Sequence, residues 1–252
     1  MQVINTVKEW KNIRQSIPAQ SIGFVPTMGN LHKGHASLIE KSVLENDITV
    51  LSIFVNPAQF NNKEDLANYP QTLEADITLA SKLRVDYLLH FNEQELYPDG
   101  YNFRITENSF YSQSMEGKFR PGHFTGMLTI VLKLLLLTKP DKSYFGEKDY
   151  QQLTLVKNMA EAFLLDTEII ACTTIRNEDG LPLSSRNSRL SLEDLAKAAF
   201  FSRLLSSKYA ENEIARKLKD AGCEVDYIKH SGTRRYGAVK IGGVRLIDNI
   251  KV

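Results

Sequence analysis

The chain is expected to be an α/β protein: a parallel sheet flanked by helices, followed by a second, smaller α+β domain. Three observations predict it. Short β-rich apolar runs alternate with helical periodicity up to about residue 175, which is the signature of βαβ units. A loop with Gly180, Pro182 and a pair of serines then breaks the pattern. Beyond it a long helical stretch leads into apolar runs separated by Gly232, Gly237, Gly242 and Gly243, the pattern of a small antiparallel sheet.

Strands are expected at 22–26, 48–55, 85–91, 103–106, 143–145 and 168–175, where apolar runs rich in β-branched and aromatic residues are bounded by turn formers. Helices are expected at 36–44, 73–83, 125–137 and 150–163, where apolar residues recur at one-turn spacing and give each helix a face for the sheet. A long helix at 192–208 and a shorter one after it belong to the second domain. The boundary divides the chain into 1–176 and 177–252.

With 42% apolar and 24% charged residues among 252, the chain can bury a core. Its net charge of +1 creates no general field for nucleic acid or anionic membranes. The longest apolar run, 127–137, is interrupted by Lys133 and falls short of the roughly 20 residues of a membrane span. It reads as a buried helix. The first ten residues contain no apolar signal region, so the expected location is the cytoplasm. Cys172 and Cys223 lack metal or redox spacing and are expected as thiols.

Four segments can carry chemistry. The first, Pro26-Thr27-Met28-Gly29-Asn30-Leu31-His32-Lys33-Gly34-His35, links an expected strand to an expected helix. At that junction of a parallel sheet the helix start offers amides and the positive end of its dipole to phosphate. His32 and His35, three apart, would project from one face and donate to the same anion. Gly34 would let phosphate approach the backbone. The alternatives are surface histidines or part of a zinc site, for which His90, His123 or His230 would have to supply a further ligand.

The second segment, Phe54-Val55-Asn56-Pro57-Ala58-Gln59-Phe60, delivers two side-chain amides at a strand end, suited to a hydroxy acid or simply to a turn. In the third, Gly146-Glu147-Lys148-Asp149-Tyr150-Gln151-Gln152, Lys148 is a point charge for a leaving phosphate. Asp149 there would cap the helix, hold a ribose or bind magnesium. A charged, solvated helix start is the plainer reading. The fourth, Leu183-Ser184-Ser185-Arg186-Asn187, reads as a phosphate clamp or an interdomain linker.

Taken together, PTMGNLHKGHASLI, FVNPAQF, EGKFRPGHFTG, FGEKDYQQL, DGLPLSSRN and VRLIDN resemble the pantothenate synthetase family in order and spacing, over nearly the whole chain. The resemblance implies a Rossmann-like domain with a small C-terminal lid domain, as in the wider superfamily of nucleotidylyltransferases and class I tRNA synthetases, usually as a homodimer. It implies ATP, magnesium, (R)-pantoate and β-alanine as ligands. Met28, Gly29, Asn30, Leu31, His32, Lys33, Gly34 and His35 would line the ATP site, with His35 as proton donor. Gly146, Glu147, Lys148, Asp149, the backbone at Ile175, and Leu183, Ser184, Ser185 and Arg186 would complete it. Gln59 and Gln152 would bind pantoate, and Gln59 would also lie near β-alanine. His32, His35, Lys148 and Arg186 are the expected catalytic set.

The sequence departs from the family at Lys133-Leu134-Leu135-Leu136-Leu137-Thr138, where K-L-F-N-x-V is usual, and between Tyr227 and Arg245, where an abbreviated domain is expected. The implied chemistry is activation of pantoate as an acyl adenylate with release of pyrophosphate, then attack by β-alanine with release of AMP. The alternatives are a simple nucleotidylyltransferase and an inactive nucleotide-binding paralogue. FVNPAQF and GEKDYQQ weigh against the first, and intact His32, His35, Lys148 and Arg186 against the second.

Overall fold

A computed structural model of the chain describes residues 1–17 and 19–252. From the N-terminus the elements are β1 (Gln2–Ile4), α1 (Val7–Gln15), β2 (Ile22–Thr27), α2 (Lys33–Glu45), β3 (Ile48–Ile53) and a 3-10 turn at Pro57–Gln59. Then come α3 (Lys63–Ala67), α4 (Leu73–Lys82), β4 (Tyr87–Leu89), α5 (Glu93–Leu96), α6 (Glu116–Phe119) and α7 (His123–Thr138). After β5 (Lys142–Gly146) follow a 3-10 turn at Glu147–Asp149, α8 (Tyr150–Ala162) and β6 (Glu168–Cys172). The remaining elements are a 3-10 turn at Asn187–Arg189, α9 (Leu192–Leu205), α10 (Glu211–Asp220), β7 (Glu224–Ser231), β8 (Arg234–Ile241) and β9 (Val244–Lys251). Two units result, Met1–Gly146 with Gln151–Cys172 and Glu147–Tyr150 with Thr173–Val252.

The first unit holds a six-stranded sheet in the order β1-β4-β3-β2-β5-β6. All its pairs are parallel. Every residue of β3 is buried, as expected of a central strand covered on both faces. On one face Val25, Leu51, Ile53, Leu88, Tyr144 and Cys172 pack against Leu38 and Ile39 of α2 and Ala80 of α4. On the other lie α7, most of whose 16 residues are buried, and α1, whose Trp10 donates from Nε1 to the Leu137 carbonyl at 3.0 Å. Strand order reverses between β2 and β5, and ligands of such sheets bind outside the carboxyl ends of the strands at that point.

The expected strand at 103–106 does not form. The Phe103 amide donates to the Asp99 carboxylate and the Ile105 amide to the Thr129 hydroxyl, so side chains take the donors that a ladder would need. The structure adds β1, α1 and the short helices α3, α5 and α6. The strand expected at 168–175 stops at Cys172, and the helix expected at 36–44 begins at Lys33.

In the second unit, Ala198, Phe201, Leu204 and Leu205 of α9 and Ile214 and Leu218 of α10 pack on Val239, Ile241, Val244 and Leu246 of β8 and β9. Residues 224–251 form three antiparallel strands of eight residues each, in the order β7-β8-β9, and the stretch 227–245 expected to be abbreviated holds the end of β7, all of β8 and the start of β9.

Candidate active site

Strand β2 delivers the chain to the carboxyl end of the sheet, where Met28–Leu31 turn towards α2. The turn passes through Gly29 at φ 79° and Asn30 at φ 48°, left-handed values that glycine and asparagine tolerate best. Asp76 of α4, buried, holds this turn from below. Its carboxylate accepts the amides of Asn30 at 2.9 Å and Leu31 at 2.7 Å, and the Thr72 hydroxyl at 3.2 Å. Amides expected to face phosphate therefore already have a protein partner.

His32 is the N-cap of α2, in extended conformation rather than inside the helix. Its Nδ1 accepts the Gly34 amide at 3.1 Å, and Nδ1 of His35 accepts the His32 amide at 3.4 Å. This reciprocal arrangement is a capping box made by two imidazoles. It brings the rings to 4.1 Å between centroids. A neutral imidazole whose Nδ1 accepts carries its proton on Nε2, so both rings present an Nε2–H donor. Lys33, the first residue of α2, is exposed.

The turn after β3 brings Gln59 to Met28, with Gln59 Nε2 3.0 Å from Met28 Sδ. Asn56 fixes this amide by donating from Nδ2 to Gln59 Oε1 at 3.1 Å and to the Gly126 carbonyl at 3.1 Å. Asn56 Oδ1 accepts from the Tyr97 hydroxyl at 2.9 Å. Burial, above all, pushes the Tyr97 phenol above its ordinary range and keeps it a donor. Helix α7 comes so close that a Cβ on Gly126 would lie 2.1 Å from the Ala58 carbonyl oxygen. From the start of α7, His123 Nδ1 lies 2.9 Å from the Gln59 carbonyl, and Arg120 donates to His123 Nε2 at 3.0 Å. The imidazole proton therefore sits on Nδ1, donated to Gln59. Gly146 ends β5 opposite Cys172 of β6. Gln152 is half-buried on α8, whereas its neighbour Gln151 is committed to the carbonyls of Tyr111 and Ser114 and the amide of Glu116.

The second unit gathers the other expected residues. Leu183 donates its amide to the Ile175 carbonyl at 3.0 Å, bringing those two positions together. Ser184 Oγ accepts the Arg186 amide at 3.2 Å, and Ser185 is buried. Lys148 and Asp149 form a pair at 3.7 Å. Asn249 donates from Nδ2 to the carbonyls of Glu147 at 2.9 Å and Lys148 at 2.8 Å. Asp76 was not singled out from the sequence; Asn56 entered only as one of two strand-end amides, His123 only as an alternative zinc ligand and Asn249 only within VRLIDN. For Asp76 the available signal was an acid on the apolar face of α4.

Comparison with known proteins adds identity to this geometry. The model of the family described as pantoate-beta-alanine ligase matches residues 2–251. A pantothenate synthetase of Coxiella burnetii (strain Dugway 5J108-111) is 54% identical over 249 residues, 99% of this chain and 96% of that protein. One from Legionella pneumophila (strain Lens) is 49% identical over 250 residues, 99% of each chain. Among solved structures, the pantoate-beta-alanine ligase of Francisella tularensis, complexed with beta-gamma ATP and beta-alanine, has a TM-score of 0.97 at 46% identity, covering 100% of this chain and 97% of that one. The pantothenate synthetase of Thermus thermophilus has a TM-score of 0.90 at 37% identity, covering 100% and 99%. Matched over nearly its full length, the chain belongs to the pantoate-beta-alanine ligase family.

Proposed function

We propose that this ligase joins (R)-pantoate to β-alanine in two steps, through an enzyme-bound pantoyl adenylate, with ATP as the energy source. A pantoate carboxylate oxygen attacks the α-phosphorus and pyrophosphate leaves; the β-alanine amine then attacks the acyl carbon and AMP leaves. The histidine capping box carries this reading. Two Nε2–H donors, held by backbone amides at their Nδ1 atoms, stabilise charge growing on the phosphates without reorganising during the reaction.

In this reading Met28–His35 line the ATP site, with His35 as proton donor, and Gly146–Asp149, the Ile175 backbone and Leu183–Arg186 complete it. Lys148 and Arg186 meet the departing pyrophosphate as cations. Gln59 and Gln152 bind pantoate, and Gln59 also borders the β-alanine position; its amide is oriented by Asn56. Residues 1–176 then act as the ATP- and pantoate-binding domain and 177–252 as its lid.

Among the described residues no group of three or more His, Cys, Asp or Glu side chains could hold a metal ion. Magnesium would be held chiefly by ATP phosphate oxygens with one or two carboxylates, of which Asp149 is the candidate. Bound there, it would neutralise phosphate charge. Exposed Phe103 and Phe110 support a homodimer that covers them, and the cytoplasm is the location we propose for it. No helix among the described residues is long and apolar enough to cross a membrane.

The test is an assay of AMP and pyrophosphate release with wild type, His32→Ala and His35→Ala. Release of AMP should require both pantoate and β-alanine, and each folded variant should turn over about a hundredfold slower, ~3 kcal/mol of transition-state stabilisation. Wild-type rates in either variant would remove that histidine from the mechanism.

A further inference from the structure

The second unit contains a buried amide whose hydrogen bonds converge on one short turn, Glu147–Asp149. Asn249, on β9, is 4% exposed. Its Nδ2 donates to two successive carbonyls, Glu147 and Lys148, at 2.9 and 2.8 Å. Its Oδ1 accepts from Nη1 of Arg234 at 2.7 Å, which fixes which way round the amide lies. Arg234 reaches the same turn by two other routes: Nη2 lies 3.1 Å from Glu147 Oε1, and the guanidinium stacks over the Tyr150 ring at 3.9 Å. Asn249 is itself held, because its amide donates to Asp248 Oδ1 at 2.7 Å and its carbonyl accepts from Arg176 at 3.2 Å.

We propose that Asn249 is a positioning residue for adenylate formation, acting through the backbone of the turn to aim Lys148. A lysine is a point charge on four rotatable bonds, and its usefulness at a leaving phosphate depends on where its Cα is fixed. Asn249 uses both N–H donors on the carbonyls of Glu147 and Lys148, so the peptide plane between those residues and the Lys148 carbonyl cannot turn without breaking a buried hydrogen bond. Neither alanine nor leucine could replace those donors. Arg234 plays the supporting part by orienting the amide. This inference rests on the assignment of Lys148 to the first step, made above.

The experiment compares wild type, Lys148→Ala, Asn249→Ala and the double variant in single turnovers, timing the two steps separately. The first step is pyrophosphate release from ATP and pantoate; the second is pantothenate formation from preformed pantoyl adenylate and β-alanine. Asn249→Ala should slow the first step by about tenfold to a hundredfold, the loss that a misplacement near 1 Å produces. It should leave the second within about twofold and be nearly silent in the Lys148→Ala background, as expected for a residue acting through another. Asn249→Asp, which keeps the shape and the acceptor for Arg234 but loses the donors, should behave alike and serves if the alanine variant does not fold. Equal slowing of both steps, an unchanged first step, or effects that multiply in the double variant would overturn the proposal. An unchanged first step in Lys148→Ala would instead overturn the Lys148 assignment and the proposal with it.

Discussion

Arg176 grips both carboxylate oxygens of Asp248, Nη1 to Oδ2 and Nη2 to Oδ1, each at 2.8 Å. The Asp248 side chain is only 1% exposed and that of Arg176 24%. Arg176 also donates to the Gly180 carbonyl at 2.8 Å, closing the base of the loop that runs on to Arg186. Breaking a buried pair leaves one charge without compensation, which costs about 3–5 kcal/mol. Asp248→Ala should therefore lower the urea midpoint by an amount equivalent to about 3 kcal/mol. The paired replacement Arg176→Met with Asp248→Leu should recover part of the loss. A double variant no better than Asp248→Ala would show that lost hydrogen bonds to the backbone, rather than the stranded guanidinium, set the cost.

Asp76 supports the histidine turn from beneath without belonging to it. Asp76→Ala removes the acceptor of the half-buried Asn30 and Leu31 amides, at about 1 kcal/mol each, the low end of the cost of an abandoned donor. The expected result is a lower melting temperature together with a higher KM for ATP. Calorimetry and initial rates read the two effects separately, and an unchanged KM would detach the turn from nucleotide binding.

Gly126 permits the contact between α7 and the Gln59 turn. A methyl group there would overlap the Ala58 carbonyl and lie 2.7 Å from the Gln59 amide nitrogen. Gly126→Ala should cost about 1–3 kcal/mol of stability, as overpacking does. Displacing the turn should also raise KM for pantoate more than KM for ATP. Equal changes in both would argue that Gln59 does not serve pantoate.

The strand and helix alternation was legible because long apolar periodicities are set by packing on a two-sided sheet. Elements β1 and α1 were not, since three residues make a faint strand and α1 shows one buried side chain, Trp10, in a polar helix. The segment 103–106 misled because its alternation of apolar and polar residues mimics a strand, while Phe103 is 77% exposed and the amides are consumed by Asp99 and Thr129. In the candidate site the histidine pair announces itself by spacing. Asp76 and Asn249 act across 45 and 101 residues of sequence, so neither the acid on the apolar face of α4 nor the VRLIDN run shows by itself which turn each one holds.

Asp99 offers a pH test in the first unit. The Phe103 amide and then Lys133 hold its carboxyl down at about 2, below the ordinary 3.8. A carboxyl with a depressed folded-state value stabilises the fold above its unfolded value and loses that contribution as pH falls through the folded one. Asp99→Asn should be less stable than wild type at pH 7, with the difference shrinking as pH falls from 3.8 to about 2. Urea midpoints at a series of pH values give the comparison, and a difference independent of pH in that window would remove ionised Asp99 as its source.

The adenylate route is tested most directly by following oxygen. In that route the carboxylate oxygen that attacks the α-phosphorus stays with AMP when β-alanine displaces it. Pantoate labelled with heavy oxygen in its carboxylate, turned over with ATP and β-alanine, should yield AMP carrying one labelled oxygen and pyrophosphate carrying none, by mass spectrometry. ADP and labelled inorganic phosphate would mean an acyl phosphate, and would contradict the roles given to His32, His35 and Lys148.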